Sequence, residues 1–117
     1  MSAEKPLIQV IDDDPSHLQL YDWIVQRAGF RTHPVLATGK VDQLALVQCD
    51  LSLIDYRLGP LSSLEVAKRL KSLSPGKPIV VMSDSQWMPE DFDGHATAFV
   101  RKGDPQLLLD TIGGLVG

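Results

Sequence analysis

Pro6-Leu-Ile-Gln-Val-Ile-Asp-Asp-Asp-Pro15 is the stretch that decides the fold. Its apolar half, Pro6 to Ile11, is too short for a stable helix and rich in Leu, Ile and Val, which predicts a buried strand. The acidic half ends that strand. Asp14-Pro15 then reads as an N-cap followed by proline at the first helical position, where a missing N–H costs nothing. Leu18, Tyr21, Ile24, Val25 and Ala28 recur at helical spacing, and Gly29 supplies the stop.

The same pattern repeats down the chain. Leu51-Ser-Leu-Ile54 runs into Asp55, and Pro78-Ile-Val-Val-Met82 runs into Ser83. Weaker strand candidates are Phe30 to Val35 and Thr97 to Val100. A short helical segment is expected from about Lys40 to Val47, with Val41, Leu44, Ala45 and Val47 apolar and Cys49 packing as a small hydrophobe at its end. Leu64, Ala67, Leu70 and Leu73 form another stripe, closed by Ser74-Pro75-Gly76. Asp104-Pro105 repeats the cap-plus-proline signature and opens a last helix through Leu107, Leu108 and Ile112, which Gly113-Gly114 should fray. Strands alternating with helices imply right-handed βαβ units, hence an α/β fold with a doubly wound parallel sheet and helices on both faces. Ligands in such sheets bind at the carboxyl ends of the strands. That rule gathers Asp12, Asp13, Asp55 and Ser83 at one edge, with Lys102 just after the last strand.

Composition narrows the function classes. The 117 residues fit one domain, expected to run 1–117 with its core at about 6–113. Eleven Lys plus Arg against 15 Asp plus Glu give a net charge of −4 without a cationic cluster, so direct nucleic-acid binding is not expected. The single cysteine excludes an internal disulfide and a cysteine-based zinc site. His17, His33 and His95 lie too far apart in sequence to suggest metal-ligand spacing. No apolar run reaches the length of a membrane span, and Met1 to Pro6 lacks the hydrophobic stretch of a signal peptide. The expected compartment is the cytoplasm.

Several carboxylates at one edge repel one another, and without compensation at least one should hold its proton to a raised pH. Mg²⁺ suits a site of one or two carboxylates, a backbone carbonyl and retained waters. A carboxylate is also a nucleophile toward phosphorus, and a lysine and a hydroxyl at the same place would stabilise the incoming charge. Lys102 and Ser83 are placed to supply them. Taken singly, each residue has a plainer reading: Asp14 as a helix cap, Lys102 as a surface lysine, Ser83 as a turn residue. Asp55 resists that reading, because it stands where a buried strand emerges.

On these motifs the sequence resembles the response-regulator receiver domain, the phosphoacceptor module of two-component signalling. The likeness runs from Leu7 to about Ile112, through Val-Ile-Asp-Asp-Asp-Pro (10–15), Leu-Ile-Asp-Tyr-Arg-Leu-Gly-Pro (53–60), Val-Val-Met-Ser (80–83) and Ala-Phe-Val-Arg-Lys (98–102). It implies a flavodoxin-like five-stranded sheet of order 2-1-3-4-5. It implies that Asp55 is phosphorylated, and that Asp12, Asp13, Asp55 and the carbonyl of Arg57 hold Mg²⁺, with Asp13 as a direct ligand. Ser83 takes the switch-hydroxyl position, Lys102 the invariant-lysine position and Phe99 the switch-aromatic position. The implied partners are a histidine kinase or histidine phosphotransfer protein and, downstream, an output domain or separate protein. The implied role is a switch that promotes its own phosphorylation and dephosphorylation, not an enzyme acting on outside substrates.

The chain departs from the family pattern at several places. Asp84 stands where a small residue is usual, where it could narrow access or repel a phosphoryl donor. Gly59, Ser63 and Gly103 replace the commoner Pro, Gly and Pro, and Phe99 cannot make a tyrosine's hydrogen bond. Between Ser83 and Lys102 the chain is short and carries Pro89 and Gly94, so the family's fourth helix should shrink to about a turn or give way to a loop, and the usual dimer face should be lost with it. Phe92 and Met88 are expected to pin that loop to the domain. Leu20 and Trp23 flank the first helix's apolar stripe, either as a docking surface or as a widening of the core face.

Two other function classes compete. A pseudo-receiver would keep the fold as an interaction module without phosphorylation. A haloacid-dehalogenase-type phosphatase would use Asp12-Asp13-Asp14-Pro-Ser16 as a nucleophile motif, but it leaves Asp55 without a role and lacks a second acidic pair and a cap domain.

Overall fold

The computed structural model describes residues 5–85 and 87–116; the reading of Met1 to Glu4 as no leader lies outside them. Five strands pair in parallel in the order β2-β1-β3-β4-β5: β1 (Leu7–Asp12), β2 (Arg31–Leu36), β3 (Leu51–Asp55), β4 (Ile79–Ser83) and β5 (Ala98–Arg101). Of the three inner strands, β3 and β4 are buried at every residue and β1 at all but Leu7, as expected where helices cover both faces of a parallel sheet.

Helix α1 (Pro15–Arg27) begins as the sequence predicts. The Asp14 carboxylate accepts the N–H groups of Ser16 and His17, Pro15 takes the first turn, and Gly29 exits at φ +99°. Helix α3 (Pro105–Val116) shares that face of the sheet: Leu18, Tyr21 and Val25 of α1 and Leu108 and Ile112 of α3 pack on Ile8, Val10, Leu53, Val80, Met82 and Val100. The expected fraying at Gly113-Gly114 does not occur, and α3 runs through both glycines. Each glycine costs about 1 kcal/mol in a helix. Burial of Leu108 and Ile112 and the packing of Val116 offset that cost.

Helix α2 (Ser63–Leu73) covers the opposite face, capped by the Ser62 hydroxyl. Its buried side is Ser63, Val66, Ala67 and Leu70, so Val66 completes the stripe while Leu64 and Leu73 lie only half-buried. A single 3-10 turn, Glu90–Phe92, spans β4 to β5 where the sequence predicts a shrunken helix. Phe92 is fully buried there, edge-on to Tyr56 with ring centroids 5.6 Å apart, and Met88 packs beside it.

The Lys40–Val47 helix is absent. Only a 3-10 turn forms at Val41–Gln43, and the chain then follows an irregular path into β3. Seven or eight residues without a strong cap are too few for a stable helix. Tertiary bonds outcompete it, because the side chain of Gln9 accepts the Val47 N–H at 2.9 Å and donates to the Val47 carbonyl at 3.2 Å. Cys49 is buried as expected, but it ends no helix and lies against Gln9 and Ser52. Leu20 and Trp23 do not widen the core face: they are 50% and 58% exposed, with Arg27 over the Trp23 ring.

Candidate functional site

Strand register builds the site. Ile11 and Ile54 are partners, so Asp12 and Asp55 emerge side by side at the ends of β1 and β3. Asp55 pairs with Met82, which puts Ser83 one step beyond, and Ser83 pairs with Arg101, which leaves Lys102 as the first residue past β5. The Lys102 N–H donates to the Ser83 carbonyl at 2.9 Å and so holds the two loops together.

Lys102 Nζ donates to Asp55 Oδ2 at 2.7 Å, with the side chains only 16% and 3% exposed. The second oxygen of Asp55 accepts the Arg57 N–H at 3.1 Å, which fixes the backbone of residue 57 beside the carboxylate. Burial by itself would lower the Lys102 ammonium. The hydrogen bond and charge of Asp55, with the charges of Asp12 and Asp84, outweigh burial and push it up.

Asp12 is fully buried and less well served. Oδ1 accepts the Asp14 N–H at 3.0 Å, while Oδ2 has no hydrogen-bond partner among the described residues. Burial raises its carboxyl pKa to about 6; the Asp14 bond opposes the rise, the charge of Asp55 adds to it, and Lys102 and His17 oppose it. Asp13 is half-buried beside them. Gly59 comes so close that an added Cβ would sit 3.2 Å from Asp13 Oδ2, and its φ of +60° suits glycine.

One oxygen from each of Asp12, Asp13 and Asp55 can be chosen so that all lie within 4.8 Å of one another. Three hard oxygen donors, one of them orphaned and buried, fit a divalent cation of the Mg²⁺ kind. The residues the sequence singled out are therefore brought together: Asp12, Asp13, Asp55 and Lys102 form the cluster, and Arg57 is tethered to it. Ser83, nearly buried, lines the adjoining strand end and accepts the Ser85 N–H at 3.1 Å. Phe99 lies half-buried in β5, two residues before that strand ends.

Exposed Asp84, whose charge reaches Lys102, lines with Arg57, Ser83, Trp87 and Pro89 a cavity of about 580 Å³ beside the site. Sequence reasoning missed Tyr21. Burial raises its phenol pKa first, the charges of Asp12, Asp55 and Asp84 add to the rise, and Lys102 opposes it. Nothing in its spacing separates it from the core stripe of α1.

No protein-family model matches the sequence. The transcriptional regulatory protein ZraR of Klebsiella oxytoca is 31% identical over 86 residues, covering 71% of this chain and 19% of ZraR. ZraR of Salmonella typhimurium is 33% identical over 79 residues, covering 65% of this chain and 18% of that protein. The chain thus spans about a fifth of the length of these relatives. Among solved structures, the chemotaxis protein CheY4 of Vibrio cholerae superposes with a TM-score of 0.79 at 20% identity, covering 95% of this chain and 98% of CheY4. The response regulator TrrA of Thermotoga maritima, solved in complex with Mg(2+)-BeF, gives 0.77 at 20% identity over 94% and 98%. The expected fold holds, down to the strand order. No helix among the described residues is long and apolar enough to cross a membrane.

Proposed function

We propose that this chain, a receiver domain of the response-regulator kind, accepts a phosphoryl group on Asp55 from a phosphohistidine donor and thereby switches its binding to a partner. The observation that carries the reading is Lys102 Nζ 2.7 Å from Asp55 Oδ2, with oxygens of Asp12 and Asp13 within 4.8 Å of Asp55. An oxygen of Asp55 attacks phosphorus, the P–N bond breaks, and the electron pair leaves with the imidazole of the donor. Asp12, Asp13, Asp55 and the carbonyl of Arg57 would hold Mg²⁺, which supplies positive charge against the phosphoryl oxygens. Lys102 offers its ammonium to the same oxygens, and Ser83 its hydroxyl. The new charge of about −1.5 to −2 then biases a two-state element, for which Ser83 and Phe99 are the candidates.

A histidine kinase or phosphotransfer protein would be the donor. The output would be a further domain or a separate protein, in the cytoplasm, and the chain would be a switch without an outside substrate. The phosphatase reading loses support from Asp14, whose carboxylate is engaged as the α1 cap and not free as an acid/base. Asp84 beside Ser83 favours a second reading, the pseudo-receiver, because a carboxylate whose charge reaches Lys102 repels an anionic donor.

Intact mass after acetyl phosphate or beryllofluoride with Mg²⁺ tests the proposal. An adduct on the wild type that Asp55→Asn abolishes supports it. A wild type that gains nothing, yet still binds Mg²⁺ by calorimetry, leaves the pseudo-receiver.

A further inference from the structure

The crossover from β2 to β3 leaves one flank of α2 uncovered. Parallel strands of one sheet are ordinarily joined through a helix that covers it, here across β1, which lies between β2 and β3. Between Leu36 and Leu51 this chain supplies only the turn at Val41–Gln43 and then an irregular segment. A cavity of about 500 Å³ results, lined by Leu44 and Leu46 of that segment and by Lys68, Arg69, Ser72 and Leu73 of α2, with Glu65.

The opening is built rather than slack. Gln9 binds both backbone groups of Val47, His33 Nε2 lies 2.9 Å from the Ala45 carbonyl, and the Cys49 N–H donates to the Ser74 hydroxyl at 3.1 Å. A wall anchored to β1, β2 and the end of α2 does not have to be ordered on binding, which removes a cost of association. We propose that this channel is a docking groove for an acidic amphipathic helix of another protein.

Two features select that occupant. Most of the wall's backbone is already engaged: the Leu44 N–H is bonded to the Val41 carbonyl, the Leu46 N–H to the Leu44 carbonyl, the Ala45 carbonyl faces His33, and Gln9 holds both groups of Val47. No ladder is left for an extended peptide, so the occupant must satisfy its own backbone and present side chains at i, i+3, i+4 and i+7. The charge is the second feature. Glu65 pairs with Lys68 at 3.7 Å, while exposed Arg69 has no ion pair or hydrogen bond among the described residues. An unbalanced guanidinium beside three leucines calls for a carboxylate beside apolar anchors.

Backbone-amide NMR of the full chain with three synthetic probes tests this. They are a stapled helix with leucines at i, i+3, i+4 and i+7 flanked by glutamates, the same helix with lysines for glutamates, and an unstapled proline-containing version. The glutamate helix should shift amides in residues 44–49 and α2 saturably. Arg69→Glu should weaken it about tenfold and Ser72→Trp, which plugs the channel, should abolish it. Both substituted residues are exposed, so unchanged thermal unfolding is expected of the variants. Equal binding of the lysine helix, preference for the extended peptide, or no shift with any probe at millimolar concentration overturns the proposal. So does self-association that Ser72→Trp removes, which would give the groove to a second copy.

Discussion

Lys102 and Asp55 stand 47 residues apart in sequence and 2.7 Å apart in space. Their ion pair is closed off from solvent on the Asp55 side, and its neighbour Asp12 has no ion pair of its own among the described residues. The site therefore holds one neutralised carboxylate and one that is buried at a cost, which is the asymmetry expected of a pocket completed by a metal ion.

Asp12 makes stability depend on pH. Its carboxyl titrates near 6 when folded and near 3.8 when unfolded, so between those values the folded state holds more protons. Stability from this group is then greatest at low pH and is lost as pH rises through about 6, the full loss being about 3 kcal/mol. Urea unfolding without metal should find Asp12→Asn more stable than wild type by about 2–3 kcal/mol at pH 7.5 and by well under 1 kcal/mol at pH 4. Mg²⁺ should narrow the gap at pH 7.5. A gap that does not change with pH refutes the assignment.

Gly59→Ala should act twice. A side chain at φ +60° costs about 1 kcal/mol, and its Cβ would press on Asp13 at 3.2 Å. The expected result is mild destabilisation together with weaker Mg²⁺ binding by calorimetry. Gly76→Ala is the control: its φ is +77°, but a Cβ there meets nothing within 4 Å. It should lose comparable stability and bind Mg²⁺ as the wild type does.

The loop after β4 should depend on Phe92 rather than on the Tyr56 hydroxyl. Phe92→Ala removes a fully buried ring and should cost about 3–5 kcal/mol. Tyr56→Phe loses only an exposed 3.3 Å bond to Asp91 and should cost less than about 1 kcal/mol in denaturant unfolding. Comparable losses would show that the hydroxyl bond holds the loop as strongly as the packing does.

Gln9→Leu should release the irregular wall before β3. Both backbone groups of Val47 lose their partner, at about 1–3 kcal/mol, and hydrogen exchange at Val47 should quicken more than in the rest of the chain. Unchanged exchange there would mean that another contact holds the segment.

How much of this was legible beforehand varied by element. Apolar runs ending in Asp12, Asp55 and Ser83, and aspartate-proline pairs at 14–15 and 104–105, carried their own local physics, so strands, caps and the acidic edge could be read from spacing. The short loop with Pro89 and Gly94 could be read in the same way. The segment at 40–47 could not, because its state was decided by Gln9, a residue about 38 positions away that competes for its backbone.

Burial and capping are short-range preferences written into consecutive residues, and they determined the strands, the parallel sheet and the identity of the acids. Register, the orphaned oxygen of Asp12, the approach of Gly59 to Asp13 and the open flank of α2 were decided only by tertiary structure. Each depends on which distant groups meet once the strands align, and no window of sequence contains both partners.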